Sequence, residues 1–453
     1  MKVVVVGGGI AGLAAVRRLE ALVPNAELTL VERDTVLGGK LRTEHVDGFV
    51  IEEAADSFLA RKERGVGLAE ELGLDDALIA RRPEHHRTYV RRGDDLLPLP
   101  EGLTGLIPSN LDALDRSALL SATGRERFRA EIDAPVVQGD DDESVAAFVS
   151  RRFGREAYDA LVEPLMTGIY GGDGEQMSLR ATFPQLRVLE LEHGSLLRAL
   201  SEPPASDRPP FLSLRNGMAT LVEALAAGYE RAVLRLGQRA VRVTPGYRVE
   251  FESGDTVDAD GVVLATPAFA TAELLADLDG ELGSAHAEIP YSSSVVVSLA
   301  YSRADVLPLD GYGYLVPRTE GSDVLACTWS SQKWEGRAPD ENVLVRVYAG
   351  RFGRADMTAL DDGELVALAR DELRATGVEA APLLTRVRRW PLGMPQYVLG
   401  HSERVDRIEQ SSAEHPGLAL AGAAYRGVGI PDCIASGERA AESVVRALAG
   451  APA

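Results

Sequence analysis

Two cysteines, Cys327 and Cys433, are all that the 453 residues contain. They stand far apart with no C-x-x-C pair, which excludes a disulfide framework and a cysteine metal site and fits a reducing cytoplasm. Basic residues are the scarcer charge, 48 Lys plus Arg against 69 Asp plus Glu, for a net charge of −21. That balance speaks against nucleic acid or an anionic membrane surface as a general partner, and any anionic substrate must be drawn in by local basic groups. No apolar run approaches the roughly 20 residues that span a bilayer. Nothing at the N-terminus reads as a secretory or transit leader, so a cytoplasmic protein is expected, with peripheral membrane contact left open. The seven histidines are scattered. His85-His86 reads as a surface or pocket-rim pair, and neither a metal site nor a nucleophilic triad is expected. Length alone implies two or three domains.

What the chain does have comes at once. Val3 to Gly12 read VVVVGGGIAG, an apolar run suited to a buried parallel strand and followed by Gly7-x-Gly9-x-x-Gly12. Gly7 serves a tight turn, Gly9 lets backbone approach a pyrophosphate, and Gly12 lets the next helix pack on the sheet. A helix over about Ile10–Val23 then points its N-terminal N–H groups at the phosphates. A second strand over Ala26–Val31 ends at Glu32, about 20 residues past Gly12, where an acid holds a ribose hydroxyl. Past it, Val36-Leu37-Gly38-Gly39-Lys40-Leu41-Arg42-Thr43 places paired glycines beside the pyrophosphate, where nicotinamide enzymes enter another helix. This second glycine motif resembles that of amine-oxidase-like flavoproteins, and FAD is the expected cofactor.

The nucleotide-binding elements recur after long interruptions. Asn216–Leu225 reads as helix, with short alternating strands at 232–243, 247–252 and 256–258. Gly261–Pro267 and Leu418–Gly422 supply two more buried strands. Between them, 109–206 is mostly helical: Asp140-Asp141-Asp142-Glu143-Ser144 reads as a solvated cap, and Pro203-Pro204 and Pro209-Pro210 bracket the exit. Strand-like alternation at Ser293–Tyr301, Tyr312–Pro317, Val324–Trp329 and Val343–Gly350 predicts an antiparallel sheet roofing the cofactor, and a helix follows at 361–376. The expected fold is α/β (α+β overall): a Rossmann-like FAD-binding domain in three pieces (1–75, 207–267, 390–453), an antiparallel-sheet substrate domain (76–108, 268–389) and a helical insertion (109–206).

Four stretches narrow the family: Asp56-Ser57-Phe58-Leu59-Ala60-Arg61-Lys62, then EPLMTGIYGGD from Glu163, Met394-Pro395-Gln396-Tyr397-Val398-Leu399-Gly400-His401, and GVGIPDCIASG from Gly427. Together they closely resemble, nearly end to end, the bacterial FAD-dependent protoporphyrinogen/coproporphyrinogen oxidases of haem synthesis. The resemblance implies that Gly7, Gly8, Gly9, Ile10, Ala11 and Gly12, with Glu32 and Arg33, hold the FAD diphosphate and ribose, with Gly38, Gly39 and Lys40 beside them. It places Ala54, Ala55, Asp56 and Ser57 along the flavin, Val241 at the adenine end, and Trp390, Val428, Gly429 and Ile430 around the rest of the site. The family usually has Gly-Pro where this chain has Ala54-Ala55, and glycine permits torsions that alanine resists. The residues by themselves add that N–H groups of Gly427–Pro431, at a helix N-terminus, suit negative charge on a reduced ring.

The implied chemistry is oxidation of a porphyrinogen by six electrons in three two-electron steps, hydride passing to the flavin and molecular oxygen reoxidising it. No side chain is then expected to act as a catalytic acid, base or nucleophile. Transient contact with other haem-pathway enzymes is part of the same implication. Arg87, before Thr88-Tyr89-Val90, matches the family's propionate-binding arginine, and Lys62 is a second candidate. Arg81, Arg82, Arg91 and Arg92 read as solvated surface. Coproporphyrinogen III is preferred over protoporphyrinogen IX because its four propionates ask for a more basic lining. Another enzyme of the superfamily stays open at this point. An amine oxidase would want an aromatic cage in a chain only 6% aromatic, and a carotenoid desaturase a membrane-facing apolar surface. So does a non-catalytic flavin-binding scaffold of the haem pathway.

Overall fold

The four valines of the first strand divide between two cores. Val3 and Val5 face the helices Ile10–Leu22 and Ile430–Gly450, while Val4 and Val6 pack against Val243, Val249 and Phe251 of a small antiparallel sheet. A strand buried on both faces reads as an unbroken apolar run. The computed structural model describes residues 1–450 apart from 105, 140, 202–207 and 307–308. Asp140 and Pro203-Pro204 thus lie outside the described residues.

Five parallel strands form the nucleotide-binding sheet, in the spatial order Val233–Arg235, Glu27–Val31, Lys2–Val6, Gly261–Leu264, Leu418–Leu420. In chain order this is 3-2-1-4-5, so the connections reverse direction beside the first strand, and a crevice opens at its carboxyl end. Gly7 stands at that point with φ 109°, its Cα hydrogens facing the Ala265 carbonyl. The expected single run 232–243 is two strands, Val233–Arg235 and Ala240–Thr244, in different sheets. Gly237, at φ 66°, turns the chain between them.

The second large sheet, where the substrate domain is expected, has seven strands, ordered Leu384–Pro395, Tyr291–Ser302, Asn342–Ala349, Val324–Trp329, Gly313–Leu315, Tyr89–Arg92, Asp95–Pro98. It is not wholly antiparallel: Gly313–Leu315 runs parallel to Tyr89–Arg92, because these two belong to separate passages of the chain and no hairpin joins them. The strand Leu384–Pro395 stays in this sheet past residue 390, so the chain returns to the nucleotide-binding layer only after Pro395. Helix Asp362–Arg374 begins with a reciprocal capping box between Asp361 and Glu364, and it covers one face through Leu365, Ala369 and Leu373.

The helical insertion has its own core around Phe128, Phe148, Phe153 and Leu161. Its acid run is only partly a solvated cap. Ser144 caps the helix Val145–Phe153, whereas Asp142 accepts from the Ser178 hydroxyl (2.8 Å) and the Gly400 N–H (3.0 Å), tying the insertion to the chain's last segment. The arginines set aside as surface also do more than solvate. Arg91 pairs with the buried Glu372 at 2.9 Å, and Arg81 lies over Phe211 and Tyr312 at 4.9 and 4.8 Å. Apolar walls nearby make such contacts more favourable than full hydration.

The first and last helices touch backbone to backbone. A methyl group at Gly437 would stand 1.9 Å from the Ala11 carbonyl oxygen, so the helices must separate to admit it. Gly437→Ala is therefore expected to destabilise the nucleotide-binding domain by about 2 kcal/mol, read as a lower Tm of the FAD-loaded protein. An unchanged Tm would show that the close approach is not required.

Candidate active site

Glu32 closes the first glycine turn from below. One carboxylate oxygen accepts from the Gly8 N–H (2.7 Å) and the other from the Asp34 N–H (2.9 Å). A carboxylate has about four acceptor positions, so capacity remains for ribose hydroxyls. Space for the diphosphate is marked by Gly9: its torsions, φ −75° and ψ 174°, suit any residue, yet a Cβ there would meet no atom within 4 Å. Glycine is kept here by emptiness and not by strain, as a close-approaching ligand requires. Gly12 is the opposite case, a Cβ standing 1.9 Å from the Gly7 carbonyl oxygen.

The second glycine pair locks onto the first. Gly38 N–H donates to the Gly8 carbonyl (2.8 Å), and Gly39 has φ 59° where a Cβ would lie 3.2 Å from the Gly9 Cα. Arg42 bonds the Gly39 carbonyl (3.0 Å) and pairs with Asp34, which fixes this turn, while Arg33 is exposed. Lys40 is exposed beside this turn. Desolvation by the surrounding protein lowers its pKa. Burial also pushes the Cys433 thiol up to about 12, so it stays protonated. Gln238 N–H donates to the Glu32 carbonyl (2.9 Å), which brings the strand of the half-exposed Val241 beside the ribose end.

Ala54 to Ser57 run between the two domains. Among the described non-glycine residues only Asp47, Tyr247 and Leu392 have positive φ, so Ala54 and Ala55 adopt torsions that alanine accepts without strain. Their torsions do not demand the glycine usual in the family. Asp56 is buried and bonded to Lys333 (3.0 Å), Arg346 (2.7 Å) and Ser57 (2.8 Å). Burial alone would raise its carboxyl, but Lys333 and Arg346 hold it well below the usual carboxylate range. Glu52 pairs with Arg337 (3.4 Å) and accepts from the Thr43 hydroxyl and the Met218 N–H (both 2.8 Å). Sequence reasoning passed over Arg337, Arg346 and Lys333. The one available signal was Arg346 itself, a lone charge in the apolar strand NVLVRVYA.

The far wall is Gly427 to Ile430. Gly427 has φ 151°, and a side chain there would collide with Asp432. Its N–H donates to the Tyr397 hydroxyl (2.9 Å), which donates in turn to the Ala423 carbonyl (2.7 Å). Tyr397 stacks on His401, ring centroids 4.0 Å apart, and His401 bonds the Tyr425 carbonyl (2.9 Å). Asp432 accepts from the Gly429 N–H (3.2 Å) and from Lys62 (2.7 Å). Lys62 is thus already engaged with the loop. Val428 leans on the helical core, and Ile430 opens the last helix. Trp390 reaches across from the seven-stranded sheet, its indole N–H donating to the Glu53 carbonyl (2.8 Å) beneath the Arg388 guanidinium. Arg87 lies at the periphery, 55% exposed and paired with the equally exposed Asp310 at 2.8 Å. Two cavities, of about 360 and 530 Å³, adjoin Arg91–Arg92 and Arg81–Arg82. Neither is lined by the glycine loop.

Two glycine turns facing one crevice, an acid beneath them and an empty approach at Gly9 fit a dinucleotide. The model of the flavin-containing amine oxidoreductases matches residues 10–445. The chain belongs to that family. Its cofactor is FAD, and it is an FAD-dependent oxidase. It is 33% identical to the coproporphyrinogen III oxidase of Bacillus subtilis strain 168 over 98% of each chain. It is 30% identical to the chloroplastic protoporphyrinogen oxidase 1 of Arabidopsis thaliana over 95% of this chain and 85% of that one. A solved structure from Exiguobacterium sp. 255-15, assigned provisionally as a protoporphyrinogen oxidase, matches with a TM-score of 0.89 at 32% identity over 98% of both chains. No helix among the described residues is long and apolar enough to cross a membrane.

Gly9→Ala is expected to leave the fold unchanged and to lower FAD affinity about tenfold or more, measured by titrating apoprotein with FAD. Unaltered affinity would mean that the diphosphate does not approach Gly9. His401 sets a pH dependence. Burial lowers its pKa to about 4, below the unfolded value of about 6.5, so the unfolded chain binds more protons. Its contribution is full above about pH 6.5 and is lost as pH falls towards 4, a change of order 3 kcal/mol. His401→Gln should flatten denaturant-measured stability over that window, and an unchanged profile would exclude His401 as its source.

Proposed function

We propose that the chain oxidises coproporphyrinogen III to coproporphyrin III with molecular oxygen as final acceptor. Full-length similarity to a protein of that name, at 33% identity over 98% of each chain, carries this reading. Protoporphyrinogen IX is the second reading, favoured by the Arabidopsis and Exiguobacterium relatives. Either substrate loses six electrons and six protons in three two-electron steps, and three molecules of oxygen are reduced to three of hydrogen peroxide. Bound FAD supplies the two-electron acceptor for a hydride leaving a bridging methylene. The chain's own residues bind, orient and exclude. Gly7–Gly12 and Glu32 hold the nucleotide. Ala54–Ser57, Trp390 and Val428–Ile430 frame the ring, so that a bound macrocycle is held close and water is displaced from the reacting carbon.

The carboxylates of the substrate need cations in a chain rich in acids. Arg87 suits one propionate because its present partner, Asp310, is an exposed pair worth little, and a planar guanidinium binds a carboxylate through two hydrogen bonds. Lys62 serves a propionate only by sharing it with Asp432, whose nearer task is to hold Gly429. On this reading the enzyme works in the cytoplasm and meets other haem-pathway enzymes, or a membrane surface, in passing.

The deciding measurement is kcat/KM for the two porphyrinogens. Coproporphyrinogen III should be preferred about tenfold or more, and equal values or the reverse order would transfer the assignment to protoporphyrinogen IX. Arg87→Ala should raise KM for coproporphyrinogen about tenfold with FAD content unchanged. Wild-type kinetics in that variant would remove Arg87 from the substrate site.

A further inference from the structure

In the stretch Glu52–Asp56 the carbonyls of Glu52, Glu53 and Ala54 are held from the seven-stranded sheet and that of Asp56 from its own domain. Arg346 donates to the Glu52 carbonyl (3.0 Å), the Ala54 carbonyl (2.9 Å) and the Asp56 carboxylate (2.7 Å). Trp390 donates to the Glu53 carbonyl between them (2.8 Å). The Asp56 carbonyl is taken by Ser213 (2.5 Å), itself bonded by Arg337 (2.8 Å). In a trans peptide the carbonyl and the following N–H lie in one plane and point in opposite directions. Gripping the carbonyls of residues 53, 54 and 56 therefore also fixes the N–H groups of Ala54, Ala55 and Ser57, aimed away from the groups that grip the carbonyls. Among the described residues none of the N–H groups of Ala54, Ala55, Asp56 or Ser57 has a protein acceptor. A run of oriented, unpaired donors beside a cleft is the arrangement that receives a ligand's acceptor atoms.

We infer that Arg346 is a positioning residue for the flavin: by holding the Ala54 carbonyl it aims the Ala55 N–H, and together with Trp390 and Ser213, which fix the N–H groups of Ala54 and Ser57 in the same way, it presents preformed donors to the ring's nitrogen and oxygen edge. The inference rests on the placing of this stretch along the flavin under Proposed function. Arg346 touches neither cofactor nor substrate in this role. It acts through the loop, and its reach to three acceptors at once needs the guanidinium fork, which lysine lacks. Donors fixed before electrons arrive favour the negative charge that the ring then carries, so they raise the ease of its reduction.

The test is the midpoint potential of bound FAD in purified holoprotein, measured with FAD stoichiometry, Tm and steady-state kinetics. Arg346→Gln and Arg346→Lys are expected to lower the potential of the flavin that remains bound and to reduce kcat about tenfold or more, with KM for the porphyrinogen little changed. Arg346→Lys keeps a second cation against Asp56, whereas Arg346→Gln leaves Asp56 with Lys333 alone. A purely structural arginine would lower Tm and FAD content and leave the potential of retained flavin at the wild-type value, which overturns the inference, as would failure of both variants to fold. Ala55→Asp, at an exposed position, separates the two claims by adding a carboxylate to the loop. If it shifts the potential while the Arg346 variants do not, only the positioning role falls. If neither shifts it, the flavin does not lie along this stretch.

Discussion

The two domains meet over a buried ionic cluster, Glu52 and Asp56 from the nucleotide-binding side against Lys333, Arg337 and Arg346 from the side of the seven-stranded sheet. Removing one member of a buried pair typically costs about 3–5 kcal/mol, because the other charge is left without water or partner. The surplus positive charge is taken up by main-chain oxygens: those of Glu52 and Ala54 by Arg346, and those of Leu214 and Arg215 by Arg337. Domain packing and loop conformation are therefore one constraint. The seven-stranded sheet cannot shift against the FAD-binding domain without disturbing the backbone that lines their shared cleft.

The same economy of contacts recurs on the opposite wall. Tyr397, braced by His401, holds Gly427, and Asp432, braced by Lys62, holds Gly429. Each flexible glycine is pinned by a side chain that is itself fixed by packing or charge. Glycine gives the backbone its close approach, and the supporting residue removes the freedom glycine would otherwise leave.

Sequence reading was strongest where a residue's role is local. The strand–glycine–helix unit, the acid at Glu32 and the paired glycines each state their chemistry within a few positions, and Val324–Trp329 is a strand as its alternation implies. The 3-2-1-4-5 order was legible only as a class, since the pairing of Lys2–Val6 with Gly261–Leu264 joins residues more than 250 positions apart. Basic residues were the least legible. Arg81 and Arg91 have the composition of surface and the surroundings of a core, and the three cations of the central cluster carry no motif. A charge is stabilised by whatever the fold brings near it, and local sequence does not contain that information. Arg346 gave the nearest thing to a hint, because a single arginine in a buried strand must find several acceptors.

The contact between Gly437 and Ala11 also has a meaning in time. Among the described helices, the one that leaves the glycine turn comes earliest in the chain and the one that covers it comes latest. At roughly 5–20 residues per second, the opening strand and its turn wait on the order of half a minute or more for the fifth strand and the closing helix. During that interval the apolar face of Leu13, Val16 and Leu19 lacks its final cover. The cofactor crevice is complete only once the closing helix has been made.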